Sequence, residues 1–543
     1  MAGLEVGSRI TDRDRPSTHA DVLRGIMAQA ERDPEHPAVK DPARDLRYGD
    51  LVDEAERVAR GLVARGVGDG DRVGIYLPNS ADFVISALAS LWVGAIFVPL
   101  SITDPDARLS VMLDDCAPTV IVVPTERSLD EVPSLARFQR ATVGDLAAHA
   151  SDSRLTPAPG YNAYSIYTSG TTGTPKGVLI GNDAFAVAIA NTVGALGLDG
   201  RTRSLCVSPI HFDGSFLTVF PTLFAGGSVV MQPRDTLIHP RRFFNTVAAE
   251  SITYTGFSPT YLRMLLASPQ FSKLADTVLH IIALGGEAAS LSDVEAVWKA
   301  APGLEVWNRY GPTETAIAVT HIKLTPELTA GGAVPLGHPH PQVDFYLIDD
   351  EGGVIEQPDT VGELYIGGAQ LMTGYWNAPE LTAEVLREDV VPGTRVYRTG
   401  DLMYRDDTGD YVYVARADRV VKRSGMRISL IEMGEAMRRL PGVASVACVS
   451  YDAGEQLGIA AFVVPDGDVT AMELRRAGRE WMADTMLPDR VELVAELPLT
   501  ASSKLDERRL LAGAGLAEYR GAPAPAHPGP AGSREQGSGA GGL

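Results

Sequence analysis

The sequence predicts a multidomain α/β protein: a large N-terminal domain of α/β sheets with a β-rich subdomain, then a small C-terminal α+β domain. Three observations predict it. A chain of 543 residues is too long for one core, so two or three domains are expected. From residue 20 to residue 123, helical-period segments alternate with short apolar runs, the pattern of a parallel sheet covered by helices. Past residue 430, a helix-like stretch and two strand-like runs form a second, smaller group.

The elements follow in order. Residues 1–17 are polar and expected to be loose, and after His19 the positions Val22, Leu23, Ile26 and Met27 give one buried helical stripe. Residues 46–51 lead into a second helix ending near Gly66. Residues 72–77, bounded by Gly-Asp and Pro-Asn, read as a buried strand. A helix over 81–93, a strand over 95–100 and another at 120–123 continue the alternation, and 162–166 is a further strand. Residues 362–368 and 374–376 read as strands and turns of the β-rich subdomain. A helix over about 430–440 and strands near Val446 and Ala461 make the C-terminal unit. The expected division is 1–417, 418–518 and a Pro/Gly/Ala-rich disordered tail over 519–543.

Composition excludes some functions. Hydrophobic content of 45% and charged content of 22% are those of an ordinary globular protein. With 69 acidic against 48 basic residues the net charge is −21, which argues against wholesale binding to nucleic acid or an anionic membrane. No basic segment precedes an apolar run at the start, and no stretch approaches the ~18 uninterrupted apolar residues of a membrane span. Cys116, Cys206 and Cys448 lie far apart, as reduced thiols of a cytoplasmic protein do.

Several strings carry chemistry. Residues 167–178 read Tyr-Thr-Ser-Gly-Thr-Thr-Gly-Thr-Pro-Lys-Gly-Val, with hydroxyls at Thr168, Ser169, Thr171, Thr172 and Thr174 and glycines at Gly170, Gly173 and Gly177. Glycine allows close backbone approach, so N–H and O–H donors can converge on one anion. The string departs from the Walker pattern because Pro175 precedes Lys176 and Gly177 follows it. Composition alone equally suits a surface loop. In Phe212-Asp213-Gly214-Ser215, Asp213 has two readings: a helix N-cap, or the partner of an ammonium taken out of water. Residues 281–288 and 306–315 are apolar strands opening onto glycine-bearing turns. In Tyr397-Arg398-Thr399-Gly400-Asp401, a carboxylate can accept both protons of a cis-diol.

Together these strings resemble the adenylate-forming superfamily: acyl-CoA synthetases, luciferases and the adenylation domains of nonribosomal peptide synthesis. The resemblance covers roughly residues 20–515, with five motifs in the family's order. It implies ATP and Mg²⁺ as cofactors. Thr168, Ser169, Gly170, Thr171, Thr172, Gly173 and Lys176 would form the phosphate loop, and Gly286, Glu287 and Ala288 with Gly311 the adenine slot. Tyr310 would stack on the base, Asn308 bond its amino edge, Thr313 touch phosphate, Glu314 hold Mg²⁺ and Asp401 grip the ribose. Arg416 would contact nucleotide and Asp418 act as the pivot of a mobile C-terminal domain, although Ala415 replaces the family's glycine. The hairpin around residues 420–428 resembles the one lining the thiol tunnel. Lys504 would be the catalytic lysine, although Ser503 stands where the family usually has glycine.

The family's substrate pocket maps onto Asp213, Gly214, Leu217, Gly256, Ala283, Gly285, Arg309, Ile317 and Ala318. Five of these are Gly or Ala, which leaves room, while the Arg309 guanidinium suits a second carboxylate. A solvent-facing or phosphate-contacting arginine is the alternative. The pattern resembles stand-alone ligases that load β-amino acid starter units in macrolactam pathways. The expected function is adenylation of an aspartate-like or β-amino dicarboxylic acid, then transfer to the phosphopantetheine thiol of a separate carrier protein, since no carrier serine motif is found. An acyl- or aryl-CoA synthetase using CoA is the runner-up, and a non-catalytic homologue is disfavoured by Lys504, Glu314 and Asp401.

Overall fold

The structure is a computed structural model that describes residues 21–125, 132–148, 154–158, 160–168, 175–330, 332–349, 351–416, 420–423, 426–454, 457–480, 482–498 and 507–518. The alternation read from the sequence becomes two large sheets. One has eight strands in spatial order Thr320–Lys323, Glu305–Tyr310, Ile281–Leu284, Tyr254–Phe257, Arg203–Cys206, Ser228–Met231, Pro37–Lys40 and Asp45–Arg47. The other has seven, in order Gly374–Tyr375, Lys176–Gly181, Asn162–Thr168, Ile96–Pro99, Arg72–Ile75, Val120–Val122 and Arg140–Ala141. Both are parallel inside, as expected, but the sequence reading missed their antiparallel edges. Asp45–Arg47, Lys176–Gly181 and Thr320–Lys323 follow their partners by short connections with no crossover helix, so the strand–helix alternation does not reveal them. Residues 374–376, expected in the β-rich subdomain, instead pair Gly374–Tyr375 with Lys176–Gly181 at the edge of the seven-stranded sheet.

Helices Ala81–Trp92, Asn182–Leu196 and Phe216–Phe224 share one core with strands of both sheets. The first carries a buried residue at nearly every position and is capped by Ser80, whose Oγ accepts the N–H of Phe83 at 3.3 Å. Tyr164, Phe185, Phe216 and Phe220 meet edge-to-face there, with centroids 5.1 to 5.4 Å apart. Helices Pro240–Ala249, Pro259–Leu266 and Leu291–Ala300 form a second core with the eight-stranded sheet, and Asp106–Cys116 packs with the seven-stranded one.

The β-rich subdomain is an antiparallel sheet of Val343–Ile348, Gly362–Gly368, Thr394–Arg405 and Leu386–Val391, with Tyr411–Arg416 paired to Thr394–Arg405. The C-terminal α+β unit has the hairpin Val420–Arg423 and Met426–Ser429, the helix Leu430–Arg438, and a four-stranded sheet built on Val443–Asp452 and Leu457–Pro465. Met433, Met437, Ile459 and Val463 belong to its own core. The expected boundary at 417/418 and the tail over 519–543 lie outside the described residues. No helix among the described residues is long and apolar enough to cross a membrane.

Candidate active site

Four neighbouring parallel strands of the eight-stranded sheet, Arg203–Cys206, Tyr254–Phe257, Ile281–Leu284 and Glu305–Tyr310, end side by side. Beyond their carboxyl ends lie Asp213, Gly285 and Gly286, and Thr313 with Glu314. Open α/β sheets bind ligands at that edge, because backbone groups and helix entries there have no ladder partner. Register aligns Gly256 with Ala283, and Leu284 with Asn308.

The nucleotide side is tied together by side chains far apart in sequence. Tyr310 donates its hydroxyl to Asp401 Oδ2 at 2.5 Å, joining the expected base-stacking ring to the expected ribose carboxylate. A carboxylate has acceptor capacity beyond one such bond, so Asp401 retains the chemistry a ribose requires. Asn308 donates its amide N–H to the Pro335 carbonyl at 2.8 Å, which fixes its oxygen as an acceptor suited to an adenine amino group. Arg416 is the register partner of Asp401.

Glu314 is buried, and Tyr375 donates its hydroxyl to Glu314 Oε1 at 2.9 Å. Lys176 Nζ lies 4.6 Å from the centre of the Tyr375 ring, a cation–π distance. Thr168 and Lys176 face each other where the hairpin opens into the hydroxyl loop. The base of that loop, Tyr375 and Glu314 thus form one connected group. Sequence reading assigned Tyr375 only to a strand, and nothing in its string announced a bond to Glu314. A single buried carboxylate suits Mg²⁺, which takes one or two protein carboxylates and completes its shell with phosphate oxygens and water. After Glu314 the backbone turns sharply: Ala316 and Ile317 have φ of 52° and 81°. Both values are costly for residues with a Cβ, most of all for branched isoleucine. Gln370 holds the turn, donating to the carbonyls of Thr315 at 3.2 Å and Ala318 at 2.8 Å.

The substrate side holds two buried charges. Asp213 starts a short 3₁₀ turn before the helix Phe216–Phe224 and makes no capping bond, so the N-cap reading fails. Thr313 hydrogen-bonds its carboxyl, yet Asp213 Oδ2 is buried without a partner. Burial pushes this carboxyl up to about 6, with Glu314 adding to the rise and Thr313, the Gly214 N–H and Arg309 opposing it. A Cβ on Gly214 would meet nothing within 4 Å, so the space beside Asp213 is open. Arg309 is only 6% exposed, which excludes the solvent-facing reading, and its Nη1 is buried without a partner.

The glycines of the pocket serve Arg309 itself. A Cβ on Gly256 would lie 2.9 Å from both Nη1 and Nη2, and one on Gly285 would lie 2.6 Å from Cγ. The room expected at Gly256 and Gly285 is therefore occupied by the Arg309 side chain, while that at Gly214 stays open. Leu217, Ala283, Ile317 and Ala318 are buried. Tyr164, which sequence reading placed only in a strand, has a buried hydroxyl without a partner, pushed well up by burial and then by the Asp213 charge.

Other expected residues sit differently. Glu287 Oε2 accepts the N–H of Thr260 at 2.9 Å and its hydroxyl at 2.6 Å, so that carboxylate braces the start of helix Pro259–Leu266. Gly286 has φ of 84°, a value that a residue with a Cβ adopts only at a cost. Gly311 packs against the strained turn, where a Cβ would be 2.3 Å from the Ile317 carbonyl oxygen. His211 is held down at about 4 chiefly by burial and acts as a packing residue beside Phe212. Ser169, Gly170, Thr171, Thr172, Gly173, Asp418 and Lys504 lie outside the described residues.

The chain belongs to the AMP-binding enzyme family, a class of AMP-forming ligases: the family profile matches residues 26–376, and that of the AMP-binding enzyme C-terminal domain matches 432–504. It is 32% identical over 486 residues to tyrocidine synthase 2 of Brevibacillus parabrevis, covering 89% of this chain and 13% of that one. It is 33% identical over 496 residues to novobiocin biosynthesis protein H of Streptomyces niveus, covering 88% and 80%. The chain thus spans a small part of the first of these relatives and most of the second. In fold it is similar to o-succinylbenzoate CoA synthetase of Bacillus subtilis, with a TM-score of 0.80 at 23% identity, covering 91% of this chain and 98% of that one.

Proposed function

We propose that this protein activates an amino dicarboxylic acid, aspartate-like or a β-amino relative, as its acyl-adenylate and transfers it to the phosphopantetheine thiol of a carrier protein. One observation supports the substrate class above all. Asp213 Oδ2 and Arg309 Nη1 are buried, opposite in charge and without hydrogen-bond partners, and the Arg309 cation acts on the Asp213 carboxyl. Leaving such atoms unsatisfied costs about 1–3 kcal/mol each, more for charged groups. An amino acid with a second carboxylate satisfies both, its ammonium at Asp213 and its distal carboxylate at Arg309.

The reacting carboxylate is ionised near neutral pH and needs no general base. It attacks the α-phosphorus of ATP in line, forming the acyl–phosphate bond as pyrophosphate leaves. The chain's part is alignment: Tyr310 and Asn308 seat the adenine, Asp401 the ribose, and Lys504 would supply a cation to the attacking and α-phosphate oxygens. Glu314 would hold Mg²⁺, which supplies charge neutralisation on the phosphates. In the second step the carrier thiolate attacks the acyl carbon and AMP departs, with Asp418 as the hinge of the domain rearrangement.

Substrate-dependent pyrophosphate–ATP exchange tests the reading across α- and β-amino acids, dicarboxylic amino acids and simple fatty or aryl acids. Exchange driven by aspartate-like acids is the expected result. Exchange only with acids lacking an amino group, with turnover on CoA, would make this a CoA ligase. Arg309→Ala should remove the preference for a distal carboxylate, raising the KM for aspartate on the order of 10²-fold; an unchanged amino-acid profile would remove Arg309 from the pocket.

The ionisation of Asp213 also gives a pH signature. An ammonium binds only its carboxylate form, and its carboxyl sits at about 6 before substrate arrives. The KM for the amino acid should therefore be flat above that pH and climb about tenfold per pH unit below it. A flat profile between pH 5 and pH 8, after correction for the substrate's own groups, would exclude Asp213 as the ammonium partner.

A further inference from the structure

The helix Asp106–Cys116 carries Asp115 in its last turn, the end of a helix at which a cation is favoured and a carboxylate is not. The last carbonyls of a helix have no partner within it, and here they are met from elsewhere. Arg72 donates to the carbonyls of Cys116 at 2.7 Å and Ala117 at 2.9 Å, while Trp376 Nε1 and Asn377 Nδ2 both donate to the Asp115 carbonyl at 3.1 Å. The Arg72 guanidinium also lies 5.3 Å from the centre of the Trp376 ring. The Asp115 carboxylate makes two further bonds: Oδ2 accepts the Tyr167 hydroxyl at 2.6 Å, and Oδ1 accepts the Asn377 amide at 3.3 Å.

Those partners frame the phosphate end of the site. Tyr167 is the register partner of Gly177, so the two face each other at the root of the hairpin that carries Thr168 and Lys176. Trp376 donates its backbone N–H to the Gly177 carbonyl at 2.7 Å. A Cβ on Gly177 would lie 2.9 Å from Ser165 Oγ, 3.1 Å from Tyr167 Cζ and 3.2 Å from Trp376 Cβ, so the root of the hairpin is tightly packed. One residue before Trp376, Tyr375 donates to Glu314 and lies under the Lys176 ammonium. Met372, three residues before Tyr375, donates its N–H to the Glu314 carbonyl at 2.8 Å. Asp115 thus grips Tyr167 with its carboxylate and, with its carbonyl, the two residues that follow Tyr375.

We propose that Asp115 is a positioning residue for the pyrophosphate part of ATP: by tying Tyr167 to Trp376 and Asn377, it fixes where Lys176 stands relative to the Glu314 carboxylate. This rests on the reading given above, in which the phosphates of ATP are met by Lys176 and by Mg²⁺ on Glu314. Packing alone does not call for a carboxylate at this position. An alanine would keep the backbone bonds to Trp376 and Asn377 and would suit the helix end better. What the carboxylate adds is the link to Tyr167, and with it a fixed spacing between the two strands that carry the charged groups. Charge placed to meet phosphate oxygens acts through such spacing, since small displacements are costly.

The test is calorimetric titration with ATP and with AMP, in excess Mg²⁺ and without the acid substrate, on the wild-type protein and on Asp115→Ala, Asp115→Asn, Tyr167→Phe and Lys176→Ala. AMP lacks the pyrophosphate and serves as the internal control. Asp115→Ala should raise the Kd for ATP about tenfold, the size of one hydrogen bond to a charged group, and leave the Kd for AMP unchanged. Asp115→Asn, which keeps an acceptor for the Tyr167 hydroxyl, should recover most of the loss. Tyr167→Phe removes a single hydroxyl and should repeat the selective loss; it decides the matter if Asp115→Ala does not fold. In pyrophosphate exchange the same variants should raise the KM for ATP and leave that for the acid unchanged. Equal weakening of ATP and AMP would mark a structural role and overturn the proposal. An ATP affinity that falls in Lys176→Ala but not in Asp115→Ala or Tyr167→Phe overturns this inference alone. An ATP affinity unchanged in Lys176→Ala overturns the phosphate assignment and this inference with it.

Discussion

Asp213→Asn should abolish exchange with every amino acid, by on the order of 10²- to 10³-fold in kcat/KM, while the protein becomes more stable. The catalytic loss follows from leaving a substrate ammonium buried opposite a neutral amide, the situation in which removing one partner of a buried pair costs about 3–5 kcal/mol. The gain in stability follows from the same burial. The Asp213 carboxyl is raised to about 6 in the folded chain from an ordinary value of 3.8. Between those values the folded chain binds more protons than the unfolded one, so wild-type stability falls as pH rises through that window. The whole penalty is present above it. At pH 7.5 an uncharged asparagine of the same shape escapes the penalty, and the Tm of the variant should exceed that of wild type. Thermal melts at pH 4 and pH 7.5 check the sign: the advantage should shrink at the lower pH. A variant destabilised at both pH values, or still active on amino acids, would show that Asp213 serves the fold.

Lys504→Ala should lower adenylation by on the order of 10²-fold or more with little change in the KM for either substrate. Attack of one anion on another builds negative charge where the carboxylate meets the α-phosphate, and a cation placed there acts mainly in the transition state. A mutation that removes such a contact lowers kcat and leaves ground-state binding nearly intact. Pre-steady-state exchange with saturating ATP and aspartate measures this directly. If the variant kept wild-type kcat, the lysine would not reach the reacting atoms, and another cation would have to be sought.

The fold was legible because its signals are local. Residues 72–77 and 95–100 announce buried strands by their apolar runs, and the structure forms Arg72–Ile75 and Ile96–Pro99 with a helix, Ala81–Trp92, between them. The antiparallel edges were not legible: residues 374–376 read as part of the β-rich subdomain, because Gly374–Tyr375 is too short to carry a period and only its pairing with Lys176–Gly181 puts it on the seven-stranded sheet. In the site, single strings pointed to Asp213, Glu314, Tyr310 and Asp401. What they could not disclose was contact between strings: Tyr310 on Asp401 across 91 residues, Tyr375 on Glu314 across 61.

Arg309, Gly256 and Gly285 are separate letters in the chain but one heritable character. A methyl group arriving first at Gly256 would meet the guanidinium at 2.9 Å, and one at Gly285 would meet the Arg309 Cγ at 2.6 Å. Loss of the arginine first would leave a void between two residues that have no side chains to fill it, at a cost that grows with the volume left empty. A side chain at Gly256 would displace the guanidinium and one at Gly285 the stem of the arginine, so a change at either glycine is expected to move or replace Arg309 as well. Descendants that took a different substrate should show the arginine and both glycines replaced as a set. Retargeting this pocket in the laboratory calls for a combined library at the three positions, because the space at each glycine is set by where the arginine lies.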